Sequence, residues 1–395
     1  MSVSNATQDA VQFGLPMRRY FSLSPAIAYL NHGAFGAVPS VVHDAQSRIQ
    51  RRMELEPSRF FEGAFLKTEM RAAAQSLADY LGCTDADHLA LIENATIGIN
   101  AVLRHLDFTP GDEILITDQT YGAVDKAARY IAKRTGATVK RVALPFPATD
   151  HDQIIAAFSR GLGPRTRLAI IDHVTSPTAL VLPVAEMSHL ARSVGAKVLI
   201  DGAHAPGMVP INFQEIAADW YTGNCHKWLF AARGCGFLWT RQEVRDDTHP
   251  LVISHGYGDG FTAEFDWVGT RDVSAQLSLP AALQFRQRFG DRDISAHNHR
   301  LVMAASQHVA AAWNSMMGGG PALTGAMCCV CLPEPFTGDQ TAADKLRWQL
   351  ADTFEVQVPL RSINGRFWAR LSAQIYNDMD DYHRFAKAIL KLQQQ

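Results

Sequence analysis

The chain has no run of about 18 apolar residues, so no membrane-spanning helix is expected. Residues 1–25 mix polar and apolar types, with Arg18 and Arg19 late. No basic start leads into an apolar core, so no secretory signal is expected. Neither sign of charge dominates: 37 Lys and Arg against 39 Asp and Glu give a formal net charge of −2. Without a basic stripe nucleic acid is not an expected partner, and without a block of like charge no disordered tail is expected. The six cysteines (Cys83, Cys225, Cys235, Cys328, Cys329 and Cys331) lack zinc-ligand spacing, and no metal is expected. They read as small hydrophobes in a reducing compartment, which makes the cytoplasm the expected address. Internal repeats and low-complexity segments are absent too.

What is present is the material for a large core. The 395 residues are 47% hydrophobic and 19% charged, enough for two or three lobes. The stretch KVLIDGAHAPGMVPINFQEIAADWYTGNCHKW (197–228) organises the rest. An apolar run, Val198 to Ile200, ends in Asp201; a turn of small residues follows, then His204. A second apolar and aromatic segment carries His226 and Lys227. A strand of the first kind is buried on both faces of a parallel sheet, and its carboxyl end opens into the crevice where such sheets bind ligands. A carboxylate there needs a positive partner, and a lysine in a half-apolar segment is useful as an amine nucleophile. An aldehyde that condenses with the lysine and carries a protonated ring nitrogen for the aspartate satisfies both. Pyridoxal phosphate has both groups, and a phosphate that must also be held.

The rest of the chain supplies candidates for those duties. Residues 1–28 read as an arm with a short helical piece. YLNHGAFGAVP (29–39) reads as a glycine-punctuated loop whose Asn31 and His32 line a pocket or make turn hydrogen bonds. Residues 39–80 are helical in pattern. LALIENATIGINAVLRHL (88–106) runs from strand to helix through Ala95 and Thr96, either a phosphate-binding helix start or an ordinary cap. EILITD (113–118) is a strand followed by Tyr121, which stacks on a planar ring or packs in the core. Strands at 138–144 and 166–174 enclose a helix near 151–160; the second ends in His173, Val174, Thr175 and Ser176. With a helix at 184–194 and a strand at 234–240, these make a mostly parallel three-layer α/β sheet. Residues 251–271 read as a long loop ending in Gly269-Thr270-Arg271, and such loops carry function. A helix near 275–290 leads to a smaller α+β lobe. There AMCCVCLP reads as a buried strand, and RFWARLSAQIYN (366–377) as a strand carrying Arg366 and Arg370. An arginine there is an ion pair or a carboxylate clamp.

Taken together, the D-G-A-H…N-C-H-K-W pair and the W-V-G-T-R-D motif make the chain resemble the class V aminotransferase family, in particular its isopenicillin N epimerase-like branch. The resemblance runs from YLNHGAFG through RLSAQIYN. It implies a fold type I, pyridoxal-phosphate-dependent homodimer with active sites at the subunit interface. An arm (1–28), a large cofactor-binding domain (29–274) and a linking helix with a small C-terminal domain (275–395) are the units expected from the order of segments along the chain. The resemblance also implies roles. Lys227 would anchor the cofactor's aldehyde, Asp201 would pair with the pyridine nitrogen, and His204 would bond the phenolic oxygen. Tyr121 would stack on the ring, with Thr175 and Ser176 beside it. Ala95, Thr96, Asn224 and His226 would hold the phosphate, and Thr270 would reach the phosphate of the partner subunit's cofactor. Arg370 would grip a substrate α-carboxylate. Apart from the resemblance, the loops that carry Asn31, His32, His255 and Tyr257 are expected to line the substrate side-chain pocket.

The chemistry those roles imply is formation of a Cα carbanion on an amino acid. The branch points to epimerisation or racemisation; β-elimination from a cysteine conjugate or sulfoxide, or transamination, uses the same carbanion. A cysteine desulfurase of the persulfide-relay kind is not expected, because VQVPLRSINGRFWAR (356–370) holds no cysteine. A non-catalytic regulatory domain of the same fold would not need the lysine and aspartate that are both here.

Overall fold

The computed structural model describes residues 12–83 and 85–394. The first eleven residues of the expected arm lie outside that set. The rest of the arm holds a short 3-10 helix, Leu15–Tyr20, and a two-residue strand, Ala28–Tyr29, that pairs in parallel with Val356–Gln357.

Seven strands form the main sheet: β1 (Leu89–Ile92), β2 (Glu113–Thr117), β3 (Thr138–Val142), β4 (Thr166–Asp172), β5 (Lys197–Gly202), β6 (Trp220–Asn224) and β7 (Gly236–Thr240). Their order is β1-β7-β6-β5-β4-β2-β3, and only β7 runs against its neighbours. The sheet is apolar on both faces, and its alternation divides two cores. Leu89, Leu91, Leu115, Ala169, Ile171, Val198 and Ile200 join one. Ala90, Ile92, Ile114, Ile116, Leu168, Ile170 and Leu199 join the other. The edge strand β3 departs from this pattern and exposes Lys140 and Arg141 in part, which discourages pairing with another chain.

The first core is covered by α1 (Ser40–Leu55), α2 (Ala64–Leu81), α5 (His151–Ser159) and α6 (Val184–Ser193). The second lies under α3 (Ala95–His105) and α4 (Gly122–Thr135). This is the expected three-layer arrangement, and it brings the carboxyl ends of β1, β2, β4, β5 and β6 to one edge.

The helix expected near 275–290 is a short turn, Ser274–Leu277, followed by α7 (Leu279–Phe289), which packs on α1 and α2. It leads through α8 (Asp291–Ala312) into a second sheet of β8 (Met327–Cys331), β9 (Leu360–Ile363) and β10 (Arg366–Ser372), antiparallel in the order β9-β10-β8. Helices α8, α9 (Gln340–Phe354) and α10 (Met379–Gln393) cover one face of it.

Two expectations about irregular segments are corrected. The stretch 29–39 is not wholly loop: His32–Phe35 makes one helical turn. Gly36 then takes φ 63°, where an added Cβ would meet the His226 carbonyl, so only glycine lets the chain pass this close. The stretch 251–271 contains a helix, Phe261–Asp266. Phe261 and Phe265, one turn apart with ring centroids 4.8 Å from each other, bury themselves in the second core; an apolar pair this short leaves no periodicity to read.

Candidate active site

The strand ends and the small sheet enclose a cavity of about 620 Å³ whose lining includes Thr96, Tyr121, Ser176, Asp201, His204, Asn224, His226, Lys227 and Arg370. Nine side chains from four strand ends, a helix start and the second sheet therefore meet in one place.

Lys227 follows β6 by three residues and is only 9% exposed. Burial is the main reason its ammonium is disfavoured, and the Arg370 charge adds to it, so its pKa falls to about 7 despite the opposing pull of Asp201. Its Nζ lies 3.2 Å from His204 Nε2. Burial first, then the Lys227, Arg370 and His226 charges, hold His204 well below the ordinary imidazole value, so that ring is neutral. With Nε2 facing the amine, His204 Nδ1 is buried without a partner. Asp201 ends the run of β5 and accepts the Ala203 amide at 3.0 Å. Burial raises its pKa, while the Ala203 bond and the Lys227 charge oppose the rise.

At the start of α3, Asn94 caps the Ile97 amide at 3.1 Å. Ala95 lines the cavity, and its amide donates to Asn224 Oδ1 at 2.8 Å. That bond fixes the Asn224 amide, leaving Nδ2 as its free donor. The Thr96 amide and hydroxyl remain at the helix end. His226 gives Nδ1 to the Cys235 carbonyl at 3.0 Å and keeps Nε2 for a ligand. Its pKa falls to about 4, chiefly from burial and then from the Lys227 charge; a bound dianion would draw a proton onto it.

Six other expected residues stand outside the cavity. His32 is buried behind it, 2.8 Å from the Tyr376 hydroxyl and 3.0 Å from the Lys227 carbonyl, and so holds the lysine's backbone. Asn31 precedes it and its Oδ1 is buried without a partner; Gly33, Ala34 and Phe35 line the cavity instead. Thr175 is buried, 2.6 Å from the Thr178 hydroxyl, and accepts the Leu180 amide at 2.8 Å; it shapes the turn that presents Ser176. His255 and Tyr257 sit on the loop before Phe261, with Tyr257 63% exposed. For His32 and Thr175 the local turn, not the residue type, decides which way the side chain faces. Thr270 also lies apart from this cavity, in a hollow with Gln50, Arg51, Phe61 and Asp272.

The structure adds residues the sequence reading passed over. Asp172 pairs in register with Asp201 across β4 and β5 and lines the same cavity. Burial, then the charge of Asp201, raise its pKa well above the usual carboxylate range, and its Oδ2 is buried without a partner. Arg361 lines the cavity from β9. Strand parity and hairpin register, which would have found both, become legible only once the strand ends are known.

These residues fit pyridoxal phosphate. A nucleophilic amine at neutral pH, a carboxylate at the end of the neighbouring strand, an unpartnered imidazole nitrogen and a helix start with a free amide and hydroxyl match its aldehyde, ring nitrogen, phenolic oxygen and phosphate. Lys227 is the free amine above its pKa and ammonium below it. Capture of pyridoxal phosphate by apoprotein is therefore expected to accelerate as pH rises through about 7 and then level off, read by stopped-flow absorbance. A rate still climbing toward the ordinary value of 10.5 would contradict the assignment.

Comparison with known proteins agrees. The family Aminotransferase class-V matches residues 28–330. A putative L-cysteine desulfhydrase 1 of Oryza sativa subsp. japonica is 37% identical over 402 residues, covering 93% of this chain and 83% of that protein. An isopenicillin N epimerase of Amycolatopsis lactamdurans is 31% identical, covering 95% of this chain and 97% of that one. The apo cysteine desulfurase of Thermococcus onnurineus NA1 superposes with a TM-score of 0.80 at 18% identity, over 97% of this chain and 99% of the other, a likeness of fold. The chain belongs to the class V aminotransferase family and is a pyridoxal-phosphate-dependent enzyme of fold type I.

Proposed function

We propose that this enzyme removes the Cα proton of an amino acid and expels a sulfur leaving group from Cβ, acting as a C–S lyase. The observation that carries the reading is Lys227: a buried amine with a pKa near 7, hydrogen-bonded to a neutral imidazole and sharing its cavity with Arg370. The cofactor, when bound, supplies the electron sink for the pair left on Cα. Arg370 holds the α-carboxylate; the Ser176 carbonyl, 2.5 Å from Nη1, aims it, and its Nε is buried without a partner. Lys227 takes the Cα proton, and the Lys227–His204 pair can pass a proton to the departing sulfur. Elimination needs one such proton-handling unit. Among the described residues no cysteine lines the cavity, which suits elimination better than a persulfide relay.

Epimerisation is the second reading. It needs a proton donor facing Lys227 from the other side, and Tyr121, 45% exposed in the cavity at the start of α4, is the candidate. Relatives carry both names: L-cysteine desulfhydrase at 37% identity and isopenicillin N epimerase at 31%. Incubation of holoenzyme with L-cysteine and S-alkyl cysteines decides between them. Pyruvate with a released thiol or sulfide supports the lyase; Cα deuterium exchange with inversion and no pyruvate overturns it in favour of the epimerase.

We further propose a homodimer. The support is Thr270, remote from this chain's own cavity, and the exposed apolar run Leu251-Val252-Ile253 beside Tyr257, a surface that suits a second copy.

A further inference from the structure

The small sheet closes the cavity with two arginines. In its register Arg361 on β9 stands opposite Trp368 on β10, and Arg370 lies two residues from Trp368 on the same strand. Opposed residues share a face, as do residues two apart, so Arg361 and Arg370 are diagonal neighbours on one face. Both line the cavity that holds Lys227.

Two guanidiniums this close repel each other and need anions. Among the described residues neither has a carboxylate partner. Arg370 meets Ser176 only, and the Arg361 side chain makes no hydrogen bond. Glu93, the carboxylate at the cavity edge, is already paired with Arg271. Asp172 and Asp201 belong to the strand ends of the large sheet, with Lys227 beside them. The Arg370 guanidinium is further disfavoured, by burial first and by Arg361 among the neighbouring charges, to a pKa of about 10. If Arg370 takes the α-carboxylate, as in the function proposed above, one full set of guanidinium donors is left over at a half-buried position.

We propose that Arg361 reads a second acidic group on the substrate side chain, so that the preferred substrates are amino acids whose side chain ends in a carboxylate or sulfonate. The assignment of the α-carboxylate to Arg370 rests on the preceding reading; the charge preference itself is measured without it.

Matched pairs test this. With holoenzyme, S-carboxymethyl-L-cysteine is compared with its neutral isostere S-carbamoylmethyl-L-cysteine by Cα deuterium exchange and pyruvate release. The acid is expected to be preferred about 10- to 100-fold in kcat/KM. Arg361→Gln should remove the preference by slowing the acid alone, Arg361→Lys should restore part of it, and Arg370→Ala should raise KM for both members alike. Calorimetry with α-methylglutamate and α-methylaspartate against α-methylglutamine and α-methylasparagine separates binding from chemistry, because none has a Cα proton. At least one acid is expected to bind about 10-fold more tightly than its amide, and equally in Arg361→Gln. No preference for either acid, or an equal loss on acid and amide in Arg361→Gln, overturns the proposal. A charge preference in binding without any Cα exchange would leave it standing and overturn the deprotonation reading instead.

Discussion

Lys227→Ala is expected to abolish covalent attachment of pyridoxal phosphate and to lower turnover at least about 10⁴-fold, the upper range for one general acid–base group, because the same amine is also the covalent anchor. The argument is one of position and protonation. No other lysine lines the cavity among the described residues. The amine is held by the His32 bond to the Lys227 carbonyl and by the His204 contact, so its direction is fixed from both ends of the residue. Its pKa near 7 makes it both a nucleophile and a proton acceptor at neutral pH, which an exposed lysine is not. The checks are the visible absorbance of protein reconstituted with pyridoxal phosphate and single-turnover exchange of the Cα proton. Added small amines should return part of the exchange but no bond to the chain.

Asp201→Ala carries the second large effect. The protein should still bind pyridoxal phosphate, because the amine and the phosphate cup are separate from the carboxylate, yet lose about 10²- to 10³-fold in kcat, the usual cost of removing one preorganised charge partner. Asp201 is 4% exposed and accepts one backbone bond, from Ala203. A carboxylate so poorly solvated is stabilised as the anion only by a cation set against it, which a protonated ring nitrogen provides. Steady-state rates with unchanged absorbance at saturating cofactor measure this. Near-normal rates would remove the ring-nitrogen role. The neighbouring Asp172, in register on β4, places a second acid group beside the first, so the loss should stop short of complete.

The site was legible where chemistry conflicts with its surroundings. Asp201 ends an apolar strand and Lys227 sits among aromatic and apolar neighbours, so both declare a purpose from the residues alone. Arg370, on an apolar strand, did so in the weaker form of two alternatives, and the structure turned it into the cavity. The alternation of buried strands and helices carried the large domain for the same reason: apolar periodicity follows directly from burial.

What was hidden depends on direction. His32 and Thr175 look like ligands by type, yet a helical turn and a tight bend face them inward, where they hold Lys227 and Ser176 in place. Ala95 lines the cavity, but its amide meets Asn224, a partner 129 residues away that spacing does not reveal. Asp172 was overlooked beside His173 because one step along a strand exchanges the two faces. Arg361 needed the hairpin register to be seen as the neighbour of Arg370.

The central claim is the bond between this chain and its cofactor. Holoenzyme reduced with borohydride, digested and mapped by mass spectrometry should carry the phosphopyridoxyl group on the peptide containing Lys227 and on no other. The group on another lysine, or on none after reconstitution with pyridoxal phosphate, would contradict the account.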